Sequence, residues 1–376
     1  MGHARGRHGD LTAVAVPIHQ LIPSLNIRDA VSNHTLRLQR LLRRLGHPSE
    51  VYAVWASTSL RSPAHPVSAV PSDPGSWLIY QHSIGSLAAD RYARHRGGRL
   101  LNYHNVTPAE LFEPWEPDVG GEIDLGRRQL AEFATCTDHA IAVSEYNREE
   151  LVELGYRSTG VAAILIDTDE LRLTIDPKTA GRLRLVARRR PGSQILCVGR
   201  MAPNKAHHHL VPAFAAYRHC FDPGAHLHVV GPTSSHRYAD AVRHMVDAAG
   251  LRRHVTFHGT VSDGALGALY HHSDALCMLS DHEGFGVPLL EAMAHDLPIV
   301  AFASAGVPGT AGGAAILLPD RRPETVATAL HRVVSDEQVR NRLIAAGQAR
   351  LEAFSLERTE AAYAEQIGAA LEAARG

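Results

Sequence analysis

Short apolar runs alternate with longer helical patterns along this chain, in two successive series. The first series reads LTAVAVPI, SEVYAVW, WLIYQHS, RLLNYHN and HAIAVS, and the second reads QILCVGR, AHLHVVG, HVTFHG, DALCMLS, LPIVAF and AAILLP. Near-continuous apolar strands that alternate with helices are typical of parallel sheets covered on both faces. The pattern therefore predicts an α/β chain with two Rossmann-like domains.

The domain boundaries follow from a break in this alternation. Residues 167–194 contain Pro, Gly and a basic run but no clean strand, and a chain of 376 residues is long enough for two domains. Helices are predicted at 33–46, 127–138, 239–249, 286–295 and 334–352. The predicted organisation is a flexible tail at 1–10, a first domain at 11–168, a linker at 169–193, a second domain at 194–354 and a terminal amphipathic helix at 355–376.

The composition argues against several classes of function. A formal net charge of −1 does not suit a general nucleic-acid binder, which carries a clear basic excess. No apolar run reaches the roughly 18 residues that a membrane span needs, and the stretch MGHARGRHGD has no apolar region of the signal-peptide type. The four cysteines show no paired spacing, which indicates reduced thiols. We therefore expect a cytoplasmic protein with no nucleic-acid partner, no disulfide framework and no zinc site.

The stretch DHEGFGVPLLEAMAHDLPIVAF, residues 281–302, has features that a buried helix does not need. Gly284 and Gly286 let the backbone approach another group closely, and the proline that follows suits the first turn of a helix. The N-terminus of that helix offers unpaired N–H groups to an anion. Glu283 and Glu291 flank it, and ionised carboxylates only accept hydrogen bonds. The combination predicts a ligand that carries both phosphate and hydroxyl groups, such as a nucleotide sugar.

A second motif opens the predicted second domain. In ILCVGRMAPNKAHHHL a strand ends at Gly199, and Arg200 and Lys205 follow in a loop before the next helix. Ligands of open parallel sheets bind beyond the carboxyl ends of the strands. Two cations at that edge can hold a diphosphate and neutralise the charge that builds up as it leaves. Alone, an Arg and a Lys in a loop are usually only solvated, and the prediction gains weight because the glycine-flanked carboxylates lie in the same half-chain.

Together, GRMAPNK and EGFGVPLLE, with two glutamates eight residues apart and a proline between them, resemble the family-four retaining glycosyltransferases of the GT-B fold. The resemblance covers nearly the whole chain and is most specific at 194–302. It implies two Rossmann-like domains with a cleft between them, a second domain that binds a nucleotide-diphosphate sugar, and a C-terminal helix that crosses back to the first domain. By this resemblance Arg200 and Lys205 contact the diphosphate, and Glu291 contacts the ribose hydroxyls. The transferred sugar lies against Glu283 and the backbone of the donor-binding segment Gly284, Phe285, Gly286 and Val287.

The resemblance also singles out two residues of the first domain. His104 follows a predicted strand in LLNYHNVTP, and the family has a histidine in a similar motif that faces the donor sugar across the cleft. A histidine at such a place is more often structural, so the structural role stays open beside the catalytic one. Ser144 lies in IAVSEYNREEL, which resembles a loop that borders the family's cleft, although serines also commonly cap helices. The implied catalytic set is His104, Arg200, Lys205 and Glu283.

The stretch HQLIPSLNIRDAVSNHTLRLQRLL departs from the family pattern. Many members carry a pair of glycines in this loop, close to the donor phosphate and the acceptor, whereas this chain has Asn26, Arg28, Asp29 and Asn33. Asp29 and Asn33 either bind a polar acceptor or cap the following helix, and the cap is the favoured role for Asn33. The candidate acceptor-side residues are therefore Asp29, Asn33 and Ser144.

Two other features have structural explanations. The consecutive histidines at 207–209 resemble a metal tag, but successive helical residues point about 100° apart and cannot converge on one ion. We therefore expect no metal site and no cofactor. The pattern HTLRLQRLLRRLG places leucines on one helix face and arginines mostly opposite, as in a helix packed on a sheet. Docking of this basic helix on anionic lipid, a peripheral membrane contact, is the alternative.

The sequence as a whole predicts a metal-independent, retaining glycosyltransferase of the hexosyltransferase type. Its donor is a UDP- or GDP-sugar, and its acceptor is a hydroxyl of a soluble small molecule or oligosaccharide. One alternative is a glycosyltransferase that acts on a lipid-linked acceptor at the membrane surface. Another is a catalytically silent protein that binds a nucleotide sugar.

Overall fold

The computed structural model of the chain describes residues 15–26, 29–58, 64–189 and 191–375. The strands of the first domain are β1 Ile18–Leu25, β2 Val51–Ala56, β3 His65–Pro66, β4 Trp77–His82, β5 Gly98–Tyr103, β6 His139–Ala142 and β7 Thr159–Val161. Within the described residues they form one sheet of seven strands in the order β3-β2-β1-β4-β5-β6-β7. Every pairing between neighbours in this sheet is parallel.

The helices that cover this sheet begin where a capping side chain or a proline allows it. They are α1 Ala30–Arg44, α2 Ala88–Ala93, α3 Pro117–Phe133 and α4 Glu145–Glu153. Asp29 caps α1 by accepting a hydrogen bond from Ser32 N, and Pro117 opens α3, where a missing N–H costs nothing. The buried leucines of α1 pack against Ile18 and Ile79 of the sheet.

The stretch predicted as a linker is largely helical. It contains α5 Thr168–Leu173 and α6 Pro177–Arg189. Asp176 caps α6 by accepting a hydrogen bond from Thr179 N at 2.8 Å. Its own backbone N–H donates to Gly264 O at 2.8 Å, which fixes the start of α6 on the second domain. The arginines Arg182, Arg184 and Arg188 lie on the exposed side of this helix, which is why the segment reads as a solvated linker in the sequence.

The second domain repeats the parallel arrangement. Its strands are β8 Gln194–Val198, β9 His226–Val230, β10 Val255–Gly259, β11 Ala275–Met278, β12 Ile299–Phe302 and β13 Ala315–Leu318, in the order β10-β9-β8-β11-β12-β13. Its helices are α7 His207–Cys220, α8 His236–Ala248, α9 Asp263–His272, α10 Val287–Ala294, α11 Val307–Ala311, α12 Pro323–Ser335 and α13 Glu337–Leu351. Separate apolar clusters cover the two faces of this sheet, so it is buried on both sides.

The last helix, α14 Leu356–Ala373, packs on the first domain. Tyr363, Ile367 and Ala370 are buried in the same apolar cluster as Ile18 and Trp77. The chain therefore crosses from the first domain to the second and back again. Two Rossmann-like domains and a returning C-terminal helix are the architecture that the sequence predicts.

Several predicted boundaries are wrong, each for a local reason. The first strand is Ile18–Leu25 rather than LTAVAVPI, of which residues 11–14 lie outside the described residues. This strand is difficult to recognise from the sequence because the strand contains the polar Gln20, which is buried and hydrogen-bonded to Thr35 O. Helix α1 begins at Ala30 rather than at residue 33, because Asp29 is its cap.

Helix α3 is also displaced, since it runs over Pro117–Phe133 rather than 127–138. Glycines lower helix propensity, and those in its first half obscured its beginning. A third glycine of the helix, Gly126, packs against the backbone at Gly85, where an added Cβ would lie 2.5 Å from Gly85 N. The glycine is thus placed for close packing and not to end the helix.

The docking of α14 predicts a specific loss of stability. Ile367→Ala is expected to lower the free energy of unfolding of the first domain by about 2–5 kcal/mol, because it empties a buried site. Glu365→Ala, an exposed position on the same helix, should change it by less than about 0.5 kcal/mol. The three tryptophans, Trp55, Trp77 and Trp115, all lie in the first domain, so fluorescence-monitored urea unfolding reports on it. Equal stability of the two variants would contradict the docking.

Candidate functional site

Two loops meet where the strand order of the second sheet reverses, between β8 and β11. Lys205 ends the 3-10 turn Pro203–Lys205 that follows β8, and Glu283 lies in the loop that follows β11. The carboxyl ends of parallel strands at such a switch point form the crevice in which open α/β sheets bind ligands. The structure thus brings the two sequence motifs together at this edge.

Lys205 and Glu283 form an ion pair, with Lys205 Nζ 2.5 Å from Glu283 Oε1. Ser280 Oγ donates a second hydrogen bond to the same carboxylate oxygen at 2.7 Å. The lysine and glutamate side chains are 16% and 9% exposed. Because they are largely shielded from water, their attraction is stronger than that of a surface pair, and removing either partner would leave the other buried charge uncompensated.

Gly284 is a point at which the two domains approach each other very closely. A Cβ at this position would lie 2.4 Å from Asn105 Cβ and 2.9 Å from the carbonyl oxygen of His104, so no side chain fits there. Gly286 has a φ of 90° and is the N-cap of α10. The sequence predicted close backbone approach for both glycines. In the structure Gly284 is approached by the first domain, and Gly286 provides the left-handed residue from which the helix starts.

An interdomain latch, formed by Asn105, Asn147 and His282, holds this contact together. His282 Nε2 donates to Asn105 Oδ1 at 2.6 Å, and Asn105 Nδ2 donates to Asn147 Oδ1 at 2.8 Å. Asn105 has a φ of 83°, a conformation that asparagine adopts more readily than most residues. Burial lowers the pKa of His282. Sequence reasoning missed the latch, although Asn105 and His282 directly adjoin two residues that it did select.

Ser144 has both of the roles that the sequence left open. It is the N-cap of α4, accepting a hydrogen bond from Asn147 N at 3.3 Å. Its hydroxyl donates to the carbonyl oxygen of Gly284 at 2.7 Å, across the boundary between the domains. The serine therefore caps a helix of the first domain and supports the loop that carries Glu283.

The ring of His104 points into the first domain. Its Nε2 lies 2.6 Å from Gln81 Oε1, and since an amide oxygen only accepts, Nε2 carries the hydrogen. Its Nδ1 is buried and has no hydrogen-bond partner among the described residues. Burial, with His82 nearby, lowers the pKa of His104 to about 3, so the ring is neutral at physiological pH. In this arrangement His104 faces Gly284 through its backbone carbonyl.

The other predicted polar donor contacts are Arg200 and Glu291. Arg200 lies two residues after the end of β8 and is exposed. Glu291 is part of α10, where its Oε2 accepts a hydrogen bond from Tyr270 at 2.6 Å. Burial raises the pKa of Glu291, while the hydrogen bond from Tyr270 acts in the opposite direction.

Phe285 and Val287 can serve a ligand mainly through their backbone. The Phe285 ring is buried and packs edge-on against Phe354, with ring centroids 5.4 Å apart. Val287 is the first residue of α10 and is partly buried in the same apolar cluster. The Val287 N–H lies in the first turn of α10, where backbone donors lack intrahelical partners, and Phe285 directly precedes the N-cap residue.

The structure gives different positions to the predicted acceptor-side residues of the first loop. Asp29 caps α1, since its Oδ2 accepts hydrogen bonds from Ser32 N at 2.9 Å and Ser32 Oγ at 2.8 Å. Asn33 is exposed inside the helix, so the prediction that it caps the helix is wrong. Asn26 Nδ2 donates to Ser24 Oγ at 3.2 Å. Arg28 lies outside the described residues.

The arginines of α1 are largely engaged within the protein. They form ion pairs that join Arg37 to Glu170 at 2.7 Å, Arg43 to Glu50 at 2.9 Å and Arg44 to Glu360 at 2.6 Å. This arrangement favours the packed-helix interpretation over docking on anionic lipid. In the part of the chain that the structure describes, no helix is long and apolar enough to cross a membrane.

The three consecutive histidines do not share one environment, although the ring centroids of His208 and His209 lie 4.3 Å apart. His207 is buried, and burial lowers its pKa to about 3. His208 Nδ1 instead lies 2.9 Å from the hydroxyl of Tyr238. Among the described residues there is no cluster of three or more His, Cys, Asp or Glu side chains that could hold a metal ion.

Lysine is rare in this chain, and the sequence-based predictions did not use this fact. Lysine and arginine together number 38, and only two of them are lysines, Lys178 and Lys205. A lysine ammonium is a compact point charge with three donors, whereas a guanidinium is a wide planar fork. The close contact with Glu283 therefore suits lysine at position 205.

Residues 187–350 match the family model described as glycosyl transferases group 1. The matched segment contains Lys205, Glu283 and the whole of the second sheet. This second domain belongs to the glycosyl transferases group 1. The family resemblance predicted from the two motifs is confirmed.

Two relatives show what the chain is similar to. The chain is 30% identical over 244 residues to a GDP-mannose-dependent alpha-(1-6)-phosphatidylinositol monomannoside mannosyltransferase of Mycobacterium tuberculosis, with 60% of each chain covered. It is 29% identical over 296 residues to a D-inositol 3-phosphate glycosyltransferase of Kineococcus radiotolerans, covering 74% of this chain and 66% of the relative. In both cases the match spans less than two thirds of the relative's length.

The fold of the chain also has solved counterparts. Anabaena HepE, solved in complex with UDP and glucose, superposes with a TM-score of 0.74 at 17% identity, covering 94% of this chain and all of that one. The superposition includes both domains. The predicted GT-B fold is confirmed.

The latch predicts a measurable contribution to stability. Asn105→Ala should cost about 2–4 kcal/mol, because it leaves His282 Nε2 and Asn147 Oδ1 without this partner and puts alanine in a left-handed conformation. Asn105→Gly should cost less, since glycine accepts that conformation. Asn33→Ala, an exposed asparagine of α1, is the matched control in urea unfolding. If Asn105→Ala is as stable as the control, the latch does not hold the domains.

Proposed function

We propose that this protein is a glycosyltransferase of the hexosyltransferase type. It moves a sugar from a UDP- or GDP-sugar to an acceptor hydroxyl with retention of the anomeric configuration. The observation that carries the proposal is the pairing of Lys205 with Glu283 at the switch point of a group 1 domain. A GDP-mannose-dependent relative and a structural counterpart in complex with UDP and glucose support the donor class.

The positively charged site residues bind the diphosphate of the donor, and the carboxylates bind its hydroxyl groups. Lys205 and Arg200 supply positive charge to the diphosphate, and the N-terminus of α10 adds its partial positive charge. Glu283 accepts hydrogen bonds from hydroxyls of the sugar. Glu291, whose other oxygen remains beside the one held by Tyr270, accepts them from the ribose. His104, whose carbonyl lies against Gly284, completes the wall of the sugar site from the first domain.

The proposed reaction is a displacement at the anomeric carbon. The bond between this carbon and the diphosphate oxygen breaks, and an oxocarbenium-like centre forms. Lys205 and Arg200 stabilise the negative charge that grows on the leaving group, and this electrostatic effect is the main source of catalysis. The acceptor oxygen bonds to the carbon on the same face, and its proton passes to the departing phosphate oxygen. Retention rests on the family resemblance.

The acceptor we propose is a polar, soluble molecule such as a cyclitol or an oligosaccharide. One relative is a D-inositol 3-phosphate glycosyltransferase, and another acts on a phosphatidylinositol monomannoside, so both soluble and lipid-linked acceptors occur among the relatives. The arginines of α1 pair with carboxylates of the protein, which favours the soluble class. This protein is proposed to act in the cytoplasm.

Transfer activity tests the proposal directly. With GDP-mannose or UDP-glucose and a panel of inositol phosphate, monosaccharide and oligosaccharide acceptors, nucleoside diphosphate should be released together with a glycosylated product. Lys205→Ala should lower kcat/KM by about 10–100-fold, because it removes one charge-assisted contact to the leaving group. Lys178→Ala, the other lysine of the chain and exposed on α6, is the control and should have no effect. Binding of a nucleotide sugar without transfer to any acceptor would favour a silent binding protein.

We also propose that transfer needs no divalent metal. Lys205 and Arg200 take the place at the diphosphate that a metal ion would otherwise occupy, so EDTA should leave the initial rate nearly unchanged. The rate is measured at saturating donor with EDTA and with added manganese. Activity that EDTA abolishes and manganese restores would contradict this proposal.

A further inference from the structure

The ion pair between Lys205 and Glu283 has a consequence for which ligands the site accepts. If Lys205 binds the diphosphate of a donor, the diphosphate must compete with a carboxylate that is already 2.5 Å from the ammonium nitrogen. The same carboxylate oxygen also accepts the hydroxyl hydrogen of Ser280. Glu283 is therefore a resident counter-ion at the place where the diphosphate would bind.

The backbone around the pair keeps the two side chains within reach of each other. Asp281 N donates to Asn204 O at 2.9 Å, and Asn204 Nδ2 donates to His282 O at 3.4 Å, which ties the Lys205 turn to the Glu283 loop. The carbonyl oxygen of Glu283 accepts a hydrogen bond from Gly306 N at 2.8 Å. Since both segments are anchored, Glu283 cannot leave the site when Lys205 changes partner.

A buried charge that loses its partner is costly unless another partner replaces it. A nucleoside diphosphate that takes Lys205 leaves the Glu283 carboxylate unpaired beside its own negative charge. A nucleotide sugar takes Lys205 in the same way, but it also brings hydroxyl donors that can satisfy the carboxylate. Both ligands carry the diphosphate, but the nucleotide sugar also carries the sugar hydroxyls that can donate to Glu283.

We propose that Glu283 acts as an internal counter-ion of Lys205 that makes the site select the nucleotide sugar over the free nucleoside diphosphate. The proposal rests on the proposed function. It assigns to Glu283 a role in specificity and product release, beyond its contact with the sugar. After transfer the hydroxyl partners leave with the product, and the re-formed ion pair expels the nucleoside diphosphate.

The test compares dissociation constants, measured by calorimetry, for a nucleoside diphosphate and for its nucleotide sugar. Glu283→Gln keeps the shape and removes the charge, so it should tighten nucleoside diphosphate binding by about tenfold. Binding of the nucleotide sugar should improve much less, and the preference for it should shrink accordingly. Asp281→Asn, a carboxylate of the same loop that pairs with Arg321, is the control and should leave the preference unchanged.

A second variant should change the affinity for the nucleoside diphosphate in the opposite direction. Ser280→Ala removes the hydrogen bond that helps to hold the Glu283 carboxylate when Lys205 is engaged elsewhere. Nucleoside diphosphate binding should therefore weaken by about threefold. Folding of each variant is checked by its thermal unfolding midpoint.

The outcomes separate this proposal from the proposed function. If Glu283→Gln leaves nucleoside diphosphate affinity unchanged or weakens it while the native protein transfers sugar, the counter-ion role is wrong and the glycosyltransferase function stands. If the native protein binds neither ligand, both are wrong. Tighter binding in Glu283→Gln together with weaker binding in Ser280→Ala supports the counter-ion role.

Discussion

The contact between Gly284 and Asn105 fixes the geometry on which the rest of the site depends. Because Gly284 has no side chain, the first domain approaches the loop of the second until an added Cβ would lie 2.4 Å from Asn105 Cβ. Ser144 and the Asn105–His282 hydrogen bond hold the loop on that side, and Gly306 holds it on the other. Glu283 is thus positioned by both domains, which is the preorganisation that a reacting sugar requires. The proposed site is complete only when the domains are together.

Behind this contact lies a buried chain of polar side chains in the first domain. Gln20 donates to Thr35 O at 3.0 Å, and Gln81 Nε2 donates to Gln20 Oε1 at 2.8 Å. Gln81 Oε1 in turn accepts hydrogens from His104 at 2.6 Å and from Asn102 at 2.9 Å. Each polar side chain of this series is hydrogen-bonded to the next. The residues can therefore stay in the core without the cost of burying an unpaired polar group. The orientation of the His104 ring therefore follows from residues of three different strands.

The sequence predicts those parts of the site whose chemistry is local. Lys205 was found because it follows a strand, and Glu283 because it precedes two glycines and a proline at the start of a helix. Both positions lie at the carboxyl ends of parallel strands, which meet at one edge of the sheet. The first strand was missed because Gln20 interrupts its apolar pattern, and its reason for being buried lies 15 residues away at Thr35. The latch was missed because Asn105 and His282 are 177 residues apart. Pairings between domains leave no periodic pattern in a single sequence.

The arginines of α1 show how the double crossing of the chain constrains the two domains. Arg37 pairs with Glu170 of α5, on the first crossing, and Arg44 pairs with Glu360 of α14, on the return. A surface ion pair contributes little stability by itself. The firmer attachment is that of α14, whose buried residues share an apolar cluster with the leucines of α1. Arg37 and Arg44 of α1, whose basic face the sequence alone left open to docking on anionic lipid, thus pair with carboxylates of the two crossings.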